Sequence, residues 1–350
     1  MPLSNLPEIV EESTKKLLHA GCPASRYWVL VDVERRSPDD PQVLKTVEEL
    51  KTYPLKLKIL SRQREDGTWP ISAARKADED RGPGPPFGWT YITMLRHLQE
   101  LGDYYTTADD GYISASLEKI IGWQNEGGYI PGPFSAAYAN PYYNSFALRD
   151  LWQYGMGDDP RVRELQKWLL GMQRPDGGWV MPKIQDMRYK PPYGNMRMRD
   201  FITLIESEDA PAYDPAEHND IPSCIWCTMM AVRALSWSPA VKTDAVKRGA
   251  EFFLDRFFQR NYHPSYYQSE KNWTTLRYPT YLGSGLIALD ILTYMGYDLR
   301  DERMVKPIEW LVNERSRDGL WHLSDRPRHQ KDVMMSSTAL TVLLRVAKSM

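Results

Sequence analysis

Two kinds of apolar pattern alternate along the chain. Residues 159–173 place Val162, Leu165 and Leu169 on one face at helical spacing and charged residues on the other face, which is typical of an outer helix. Residues 224–237 and 281–296 are apolar nearly all round, as expected for helices that are buried on every side. The pattern therefore predicts amphipathic outer helices that alternate with buried inner helices.

The same alternation extends over the whole chain and predicts an all-α fold. Six outer and six inner helices in strict alternation favour a closed (α/α)6 toroid, and an open solenoid is the main alternative. We expect residues 1–350 to form one domain with long loops on one rim. The outer helices are predicted near 7–19, 40–62, 108–123, 159–173, 240–259 and 301–315, and the inner helices near 25–35, 87–101, 141–155, 222–237, 278–296 and 334–348.

A short motif of Gln, Asp-Gly and an aromatic residue recurs where outer helices end. Full copies are RQREDGTWP, with Trp69, and MQRPDGGWVMP, with Trp179. ERSRDGLWH around Trp321 lacks only the Gln, WQNEGGYIP around Tyr129 is shortened, and FFQRNYHP around Gln259 is more divergent. Self-similarity at about fifty residues indicates a structural repeat. We interpret the Gln as bonding terminal carbonyls, Asp-Gly as a turn that tolerates positive φ, and the Trp as covering the seam between units.

These repeats resemble those of squalene-hopene cyclases. The resemblance is carried by the copies at 63–69 and 173–179 and by the degenerate copies at 124–129 and 315–321, and it covers most of the chain. The wider terpenoid cyclase and protein prenyltransferase superfamily shares an α/α toroid. The resemblance thus implies a single toroid that binds an isoprenoid or other apolar lipid in an aromatic-lined central cavity and cyclises or isomerises it. Because fold does not determine function, the site needs its own argument.

Composition narrows the environment and the partners. With 44 basic and 46 acidic residues, the net charge of −2 creates no overall field that would recruit nucleic acid. Three cysteines are too few for a disulfide framework, which favours the reducing cytoplasm. No apolar run reaches the length of about 18 residues that a transmembrane helix needs. Peripheral membrane contact, a partner subunit and self-association all stay open.

The connections from outer to inner helices are long, and the longest spans 175–221. Because long loops usually form lids or binding loops, we expect the mouth of the site on this rim, with 175–221 as its lid. Basic loop residues such as Arg188 and Lys190 make an anion-binding site on this rim a further alternative. The inner helices begin here with aromatic residues, whose ring faces attract cations. The residues predicted to wall an apolar substrate chamber are Trp89, Tyr142, Tyr143, Trp226, Tyr278 and Tyr281.

The acid motifs of the cyclases are absent, since the sequence contains neither Asp-x-Asp-Asp nor Asp-Asp-x-x-Asp. The candidate catalytic acids on the rim are Asp78, Glu79, Asp80 and Asp220, because adjacent carboxylates raise one another's pKa. Catalysis is therefore an open question. A toroid that binds a lipid or a protein without catalysis is the first alternative.

A zinc-dependent prenyltransferase-like enzyme is the second alternative. The segment HNDIPSCIWC places His218, Asp220, Cys224 and Cys227 around the start of an inner helix, and zinc requires three or four such ligands. The spacing does not match the prenyltransferase pattern, and a single Cys-x-x-Cys pair is a weak signal. Two buried cysteines that pack as small hydrophobic residues are the simpler interpretation. We therefore predict no bound metal and no cofactor.

Overall fold

The computed structural model of the protein describes residues 3–72, 89–133, 139–261, 268–279, 283–323 and 329–350. This part of the chain is helical, and the β-structure found in it consists of two isolated bridges, Pro131 with Ala139 and Trp179 with Cys224. The predicted all-α class is confirmed for the described residues.

Amphipathic helices bury one face each. Asp159 caps such a helix by accepting a hydrogen bond from the Arg161 amide, and Pro160 occupies its first position. Val162, Leu165 and Leu169 are its buried residues. The helices of this kind are α1 (Leu6–Ala20), α3 (Pro41–Lys51), α4 (Pro54–Leu60), α6 (Ile113–Gly122), α8 (Pro160–Gly171), α11 (Asp244–Leu254) and α14 (Glu302–Asn313).

Between them lie helices that are buried more completely. Every residue of Ile225–Ser236 is buried, whereas α8 buries only its apolar stripe, so the predicted difference in burial is confirmed. The helices of this kind, here called inner helices, are α2 (Pro23–Trp28, continued by a π-helical turn Val29–Val33), α5 (Trp89–Asp103), α7 (Pro141–Gln153), α10 (Ile225–Ser236), α13 (Gly285–Tyr294) and α15 (His329–Ala347). Two further helices, α9 (Met198–Glu206) and α12 (Lys271–Thr274), lie in the long connections.

Several predicted bounds were wrong. The helix predicted at 40–62 is split into α3 and α4 because Pro54 lacks an amide hydrogen and Tyr53 before it is extended. The helix predicted at 278–296 begins only at Gly285, where the Ser284 hydroxyl caps it. The helix predicted at 240–259 starts with a 3-10 turn, Pro239–Lys242, and α11 ends at Leu254. The last helix begins at His329 rather than near 334.

The inner helices contact one another in chain order. α5 packs on α7, α7 on α10, α10 on α13, and α13 on α15. α15 also packs on α2 and α1, so the end of the chain meets its beginning. The indole Nε1 of Trp28 in α2 donates a hydrogen bond to the backbone carbonyl of Asp103 at the end of α5, at 2.7 Å. Each inner helix is therefore in contact with the next along the chain, and the last with the first.

The Gln-x-x-Asp-Gly-x-Trp segments make matching contacts. The buried indoles of Trp69, Trp179 and Trp321 each donate to a backbone carbonyl ten residues earlier, at 2.9, 2.7 and 2.7 Å. The turn glycine of the 173–179 copy, Gly177, has a φ of 87°, which only glycine adopts without strain. The Trp thus fastens its own outer helix, while the Asp-Gly turn reverses the chain.

The Gln has a different role from the one the sequence suggests. Gln173 Nε2 donates to the carbonyl of Gly177 in the turn at 2.8 Å and to that of Ala245, in the first turn of α11, at 2.7 Å. The copy without Gln uses Arg315, whose Nε donates to Ser13 in α1 at 2.9 Å. The motif therefore links its turn to the following outer helix rather than capping the helix it ends.

Candidate functional site

A cavity of about 150 Å³ lies between the inner helices. Every inner helix contributes residues to its wall. The aromatic and apolar part of the wall includes Trp28, Trp237, Tyr278, Ile287 and Met334. We call this space the inner-helix cavity.

Charged side chains dominate the polar part of the wall. Each inner helix, counting the π turn of α2, supplies at least one of them, so acids and bases from the whole length of the chain meet at one place. In chain order they are Asp32, Asp103, Arg149, Arg233, Asp290 and Arg345. Asp103 is the last residue of α5, and Arg233 and Arg345 lie in the last turns of α10 and α15. The cavity thus lies toward the carboxyl ends of the inner helices, whereas the sequence analysis placed the mouth at their amino ends.

Arg149 is the most deeply buried of the cavity cations, with 3% of its surface exposed. Its Nη2 lies 4.0 Å from Asp103 Oδ1, and its Nη1 lies 3.7 Å from the Oδ1 of Asp150, its neighbour in sequence. Its Cζ lies 5.5 Å from the ring centre of Trp237. Nε and Nη1 are buried and form no hydrogen bond with any described residue. Buried guanidinium groups are normally hydrogen-bonded, so these two atoms can donate to a bound molecule.

The carboxyl groups near Arg149 hold their protons unusually well. Burial raises the pKa of Asp150 to about 8, although Arg149 and Arg233 oppose the rise. Both oxygens of Asp150 are buried and lack a hydrogen bond from any described residue. Burial also raises the pKa of Asp103 and of Asp32.

Two further cations of the cavity are Arg233 and Arg345. Burial lowers the pKa of Arg233, but only to about 10. Arg345 donates from Nη1 to Asp290 Oδ1 at 2.8 Å and to the Asp290 carbonyl at 3.0 Å. The wall therefore brings three aspartates and three arginines together, and burial shifts the pKa of Asp32 and Asp103 upward, toward their uncharged form.

Two neutral polar groups complete the wall. Gln153 Oε1 is buried and forms no hydrogen bond with the described residues, whereas the buried Tyr278 hydroxyl interacts with Asp103 and Tyr104. Gln153 lies close to Gly102, where an added Cβ would be 1.9 Å from its Nε2. Together with Arg149, these groups offer donors and an acceptor to a polar ligand.

Most of the predicted aromatic set lies elsewhere. Tyr278 is in the wall of the cavity, but Tyr142 packs edge-on against Phe146, with ring centres 5.1 Å apart. Trp226 is buried against Trp273 at 4.9 Å. Trp89 and Tyr143 are half-buried at the starts of α5 and α7 and do not line the inner-helix cavity, and Tyr281 lies outside the described residues. The aromatic positions at the helix starts therefore do not wall this cavity.

Of the predicted acids, the structure describes only Asp220, which does not line the cavity. Asp78, Glu79 and Asp80 lie outside the described residues. Asp220 is 65% exposed, and its Oδ1 lies 2.6 Å from Lys190 Nζ. A hydrogen bond from Lys190 lowers the pKa of Asp220, so this carboxyl is ionised near neutral pH and is not a proton donor there.

The candidate zinc ligands also have other contacts. Cys224 and Cys227 are fully buried, and burial raises the pKa of both thiols. The Cys224 sulfur accepts hydrogen bonds from Gln185 Nε2 at 3.2 Å and Asn261 Nδ2 at 3.3 Å. His218 stacks on a tyrosine. Among the residues that the structure describes, no three His, Cys, Asp or Glu side chains are arranged to hold a metal.

The charged wall residues could have been noticed in the sequence. Arg233 and Asp290 interrupt segments that are otherwise apolar, and Arg149 stands beside Asp150 in a predicted inner helix; a charge within a buried helix requires a partner or a function. The sequence alone does not indicate that these charges share one cavity, because that depends on how the helices are arranged around it.

None of the described helices has both the length and the apolarity to cross a membrane.

Comparison with known proteins adds no functional assignment. No family model matches the chain, and no curated protein sequence matches it. Any functional assignment therefore depends on the chemistry of the cavity.

Proposed function

We propose that this chain is a single (α/α)6 toroid that binds a small anionic molecule in the inner-helix cavity at its centre. The toroid is supported by the order of contacts among the inner helices, which runs from α2 to α15 and returns to α2. It is also supported by the last motif, whose Arg315 reaches α1 as Gln173 reaches α11. An open solenoid would leave its first and last helices apart.

The observation that carries the ligand assignment is the pair of buried guanidinium atoms, Nε and Nη1 of Arg149, without a hydrogen bond to the described residues. Arg is the side chain best suited to bind carboxylate and phosphate oxygens, since its donors form a planar fork. Burial raises the pKa of the neighbouring Asp150 to about 8, so this carboxyl competes weakly for these donors near neutral pH. An anionic group would satisfy the guanidinium and balance its charge.

The size and polarity of the cavity favour a small polar molecule over an intact apolar lipid. A volume of about 150 Å³ is well below the range of about 300–1,000 Å³ that is common for larger organic ligands. Burying charged groups against a hydrocarbon is also costly. An isoprenoid ligand is consistent with this cavity only as an amphiphile whose anionic head group enters it.

Acid catalysis is a second candidate function, and Asp103 is the observation in its favour. Asp103 lines the cavity beside the aromatic residues Trp28 and Tyr278, and burial raises its pKa. A carboxylic acid that keeps its proton can donate it to a bound substrate. The cyclases that the chain resembles use such an acid, but their acid motifs are absent from this sequence. Asp103→Asn should then retain ligand binding while abolishing turnover, whereas a binding protein shows no turnover in either form.

Binding itself is tested by thermal unfolding with a panel of small carboxylates and phosphates, because a ligand of the folded state raises the melting temperature. We expect at least one member to stabilise the wild type and to lose this effect in Arg149→Gln. Arg163→Gln is the matched control, since Arg163 is 62% exposed and does not line the cavity. A panel without any effect on the wild type, or an effect that persists in Arg149→Gln, would contradict the proposal.

A further inference from the structure

A second chamber, of about 350 Å³, adjoins the inner-helix cavity. It shares Asp32, Thr341 and Arg345 with the cavity wall, so the two spaces meet at these side chains. Its remaining wall residues are Arg35, Thr293 and Tyr294. Tyr294 is 55% exposed, which places this chamber at the protein surface. We call it the outer chamber.

The backbone that forms one side of the outer chamber is irregular. α2 changes into the π turn Val29–Val33, which contains Asp32. Arg35 follows with a φ of 56°, and the Arg36 amide donates to the Leu30 carbonyl at 3.0 Å to end the helix. The left-handed conformation is the usual place for glycine at a helix end, and a longer side chain there costs stability. Both features are commonly found at functional sites.

Two guanidinium groups face one carboxyl in this chamber. The charges of Arg345 and Arg35 both lower the pKa of Asp32, against the larger effect of burial and against nearby Asp290. Arg345 is held in place by Asp290, and its Cζ lies 5.5 Å from the ring centre of Tyr294. Arg35 is exposed and forms no hydrogen bond or close ion pair with a described residue. The chamber therefore combines Arg345, which Asp290 holds in place, with Arg35, whose N–H groups do not donate to any described residue.

We propose that Arg35 and Arg345 form a second anion subsite in the outer chamber, and that the ligand carries two anionic oxygen groups. One group lies at Arg149 in the inner-helix cavity, and the other lies between Arg35 and Arg345, with the body of the molecule passing Asp32 and Thr341. The inference rests on the proposed function, because it requires the first group to bind at Arg149. The two groups are carboxylates or phosphates, both of which an arginine pair recognises through planar hydrogen bonds.

The test is calorimetric titration of the full chain with the dicarboxylates from malonate to suberate and with the monocarboxylates of equal length. A bisphosphonate series with the same spacers distinguishes phosphate-like from carboxylate groups. We expect one length of dianion to bind about tenfold or more tightly than its monoanion, as for an added charged hydrogen bond. Arg35→Gly should remove this gain, leave monoanion binding unchanged and preserve or raise the melting temperature. Arg35→Lys should retain part of the gain.

Lys183→Gly is the matched control. Lys183 is another basic residue with a positive φ, 62°, and it lines neither chamber. Its replacement therefore removes a charge and a strained conformation without changing the proposed subsite, and the dianion gain should persist. Monoanion binding without any dianion gain, or a gain that survives Arg35→Gly, would overturn the second subsite while leaving the proposed function in place. If neither series binds to the wild type, both proposals are wrong.

Discussion

The hydroxyl of Ser13 donates a hydrogen bond to the backbone carbonyl of Gly319 at 3.0 Å, across 306 positions of sequence. Ser116 makes the same bond to Gly67, the corresponding glycine of the first full motif. One contact joins neighbouring helices within the chain, and the other joins the first helix to the last motif. The same hydrogen bond thus joins α6 to the motif that precedes it in sequence and α1 to the last motif of the sequence.

Removing this contact should weaken the whole molecule rather than only its ends. Ser13 is fully buried, and its oxygen also accepts from Arg315 Nε, so Ser13→Ala removes two hydrogen bonds and leaves Arg315 Nε and the Gly319 carbonyl only their mutual bond of 3.3 Å. We expect a loss of about 1–3 kcal/mol in the free energy of unfolding. Ser116→Ala should cost a similar amount, and both are measured by urea denaturation. A Ser13→Ala protein with unchanged stability, or one whose terminal helix unfolds in a separate step, would contradict a closed arrangement.

The motif tryptophans should matter for stability and not for the site. Trp179 is fully buried, and its indole donates to Leu169. Trp179→Ala should lower the free energy of unfolding by about 3–5 kcal/mol, as for other buried aromatic residues. The folded fraction should bind anions as the wild type does, because Trp179 does not line the inner-helix cavity. Loss of binding without loss of stability would assign this residue to the site.

The pH dependence of stability should report the buried carboxyl of Asp150. Its pKa is raised from an ordinary value of 3.8 to about 8, so the folded protein binds a proton that the unfolded chain releases. The stabilising effect of that proton is complete below the unfolded pKa and is lost as the pH rises through the folded pKa. Unfolding free energy should therefore fall between about pH 4 and about pH 8 in the wild type. Asp150→Asn should remove this contribution, and parallel curves for the two proteins would refute the assignment.

Gly102 should be required for the shape of the cavity wall. A Cβ at this position would lie 1.9 Å from the Gln153 amide, so Gly102→Ala must displace Gln153. We expect lower stability and weaker anion binding, measured by denaturation and calorimetry. Gly171→Ala is the control, because a Cβ there meets nothing within 4 Å, and it should stabilise α8 by up to about 1 kcal/mol. Equal effects of the two changes would show that Gln153 can move without consequence.

The sequence predicts the helices better than it predicts the site. Periodicity distinguishes α8 from α10 because burial on one face and burial on all faces leave different apolar patterns. The break before Pro54 was missed because the surrounding apolar spacing continues through it, although proline itself indicates the break.

The site was missed for a different reason. The predicted acids lie in the long loops, where charged residues are common and mostly solvated. Arg149 and Arg233 lie within helices that are buried almost completely, where a charge is exceptional. Their convergence with Asp103 depends on the packing of several helices, and no local pattern encodes that packing.

The most direct measurement of the central claim is a crystal structure of the protein with the most strongly stabilising anion of the panel. We predict electron density for that anion in the inner-helix cavity, with an oxygen within hydrogen-bonding distance of Nε or Nη1 of Arg149. Density for the anion only at the outer surface, with Arg149 hydrogen-bonded to Asp150 or to ordered water alone, would contradict the account.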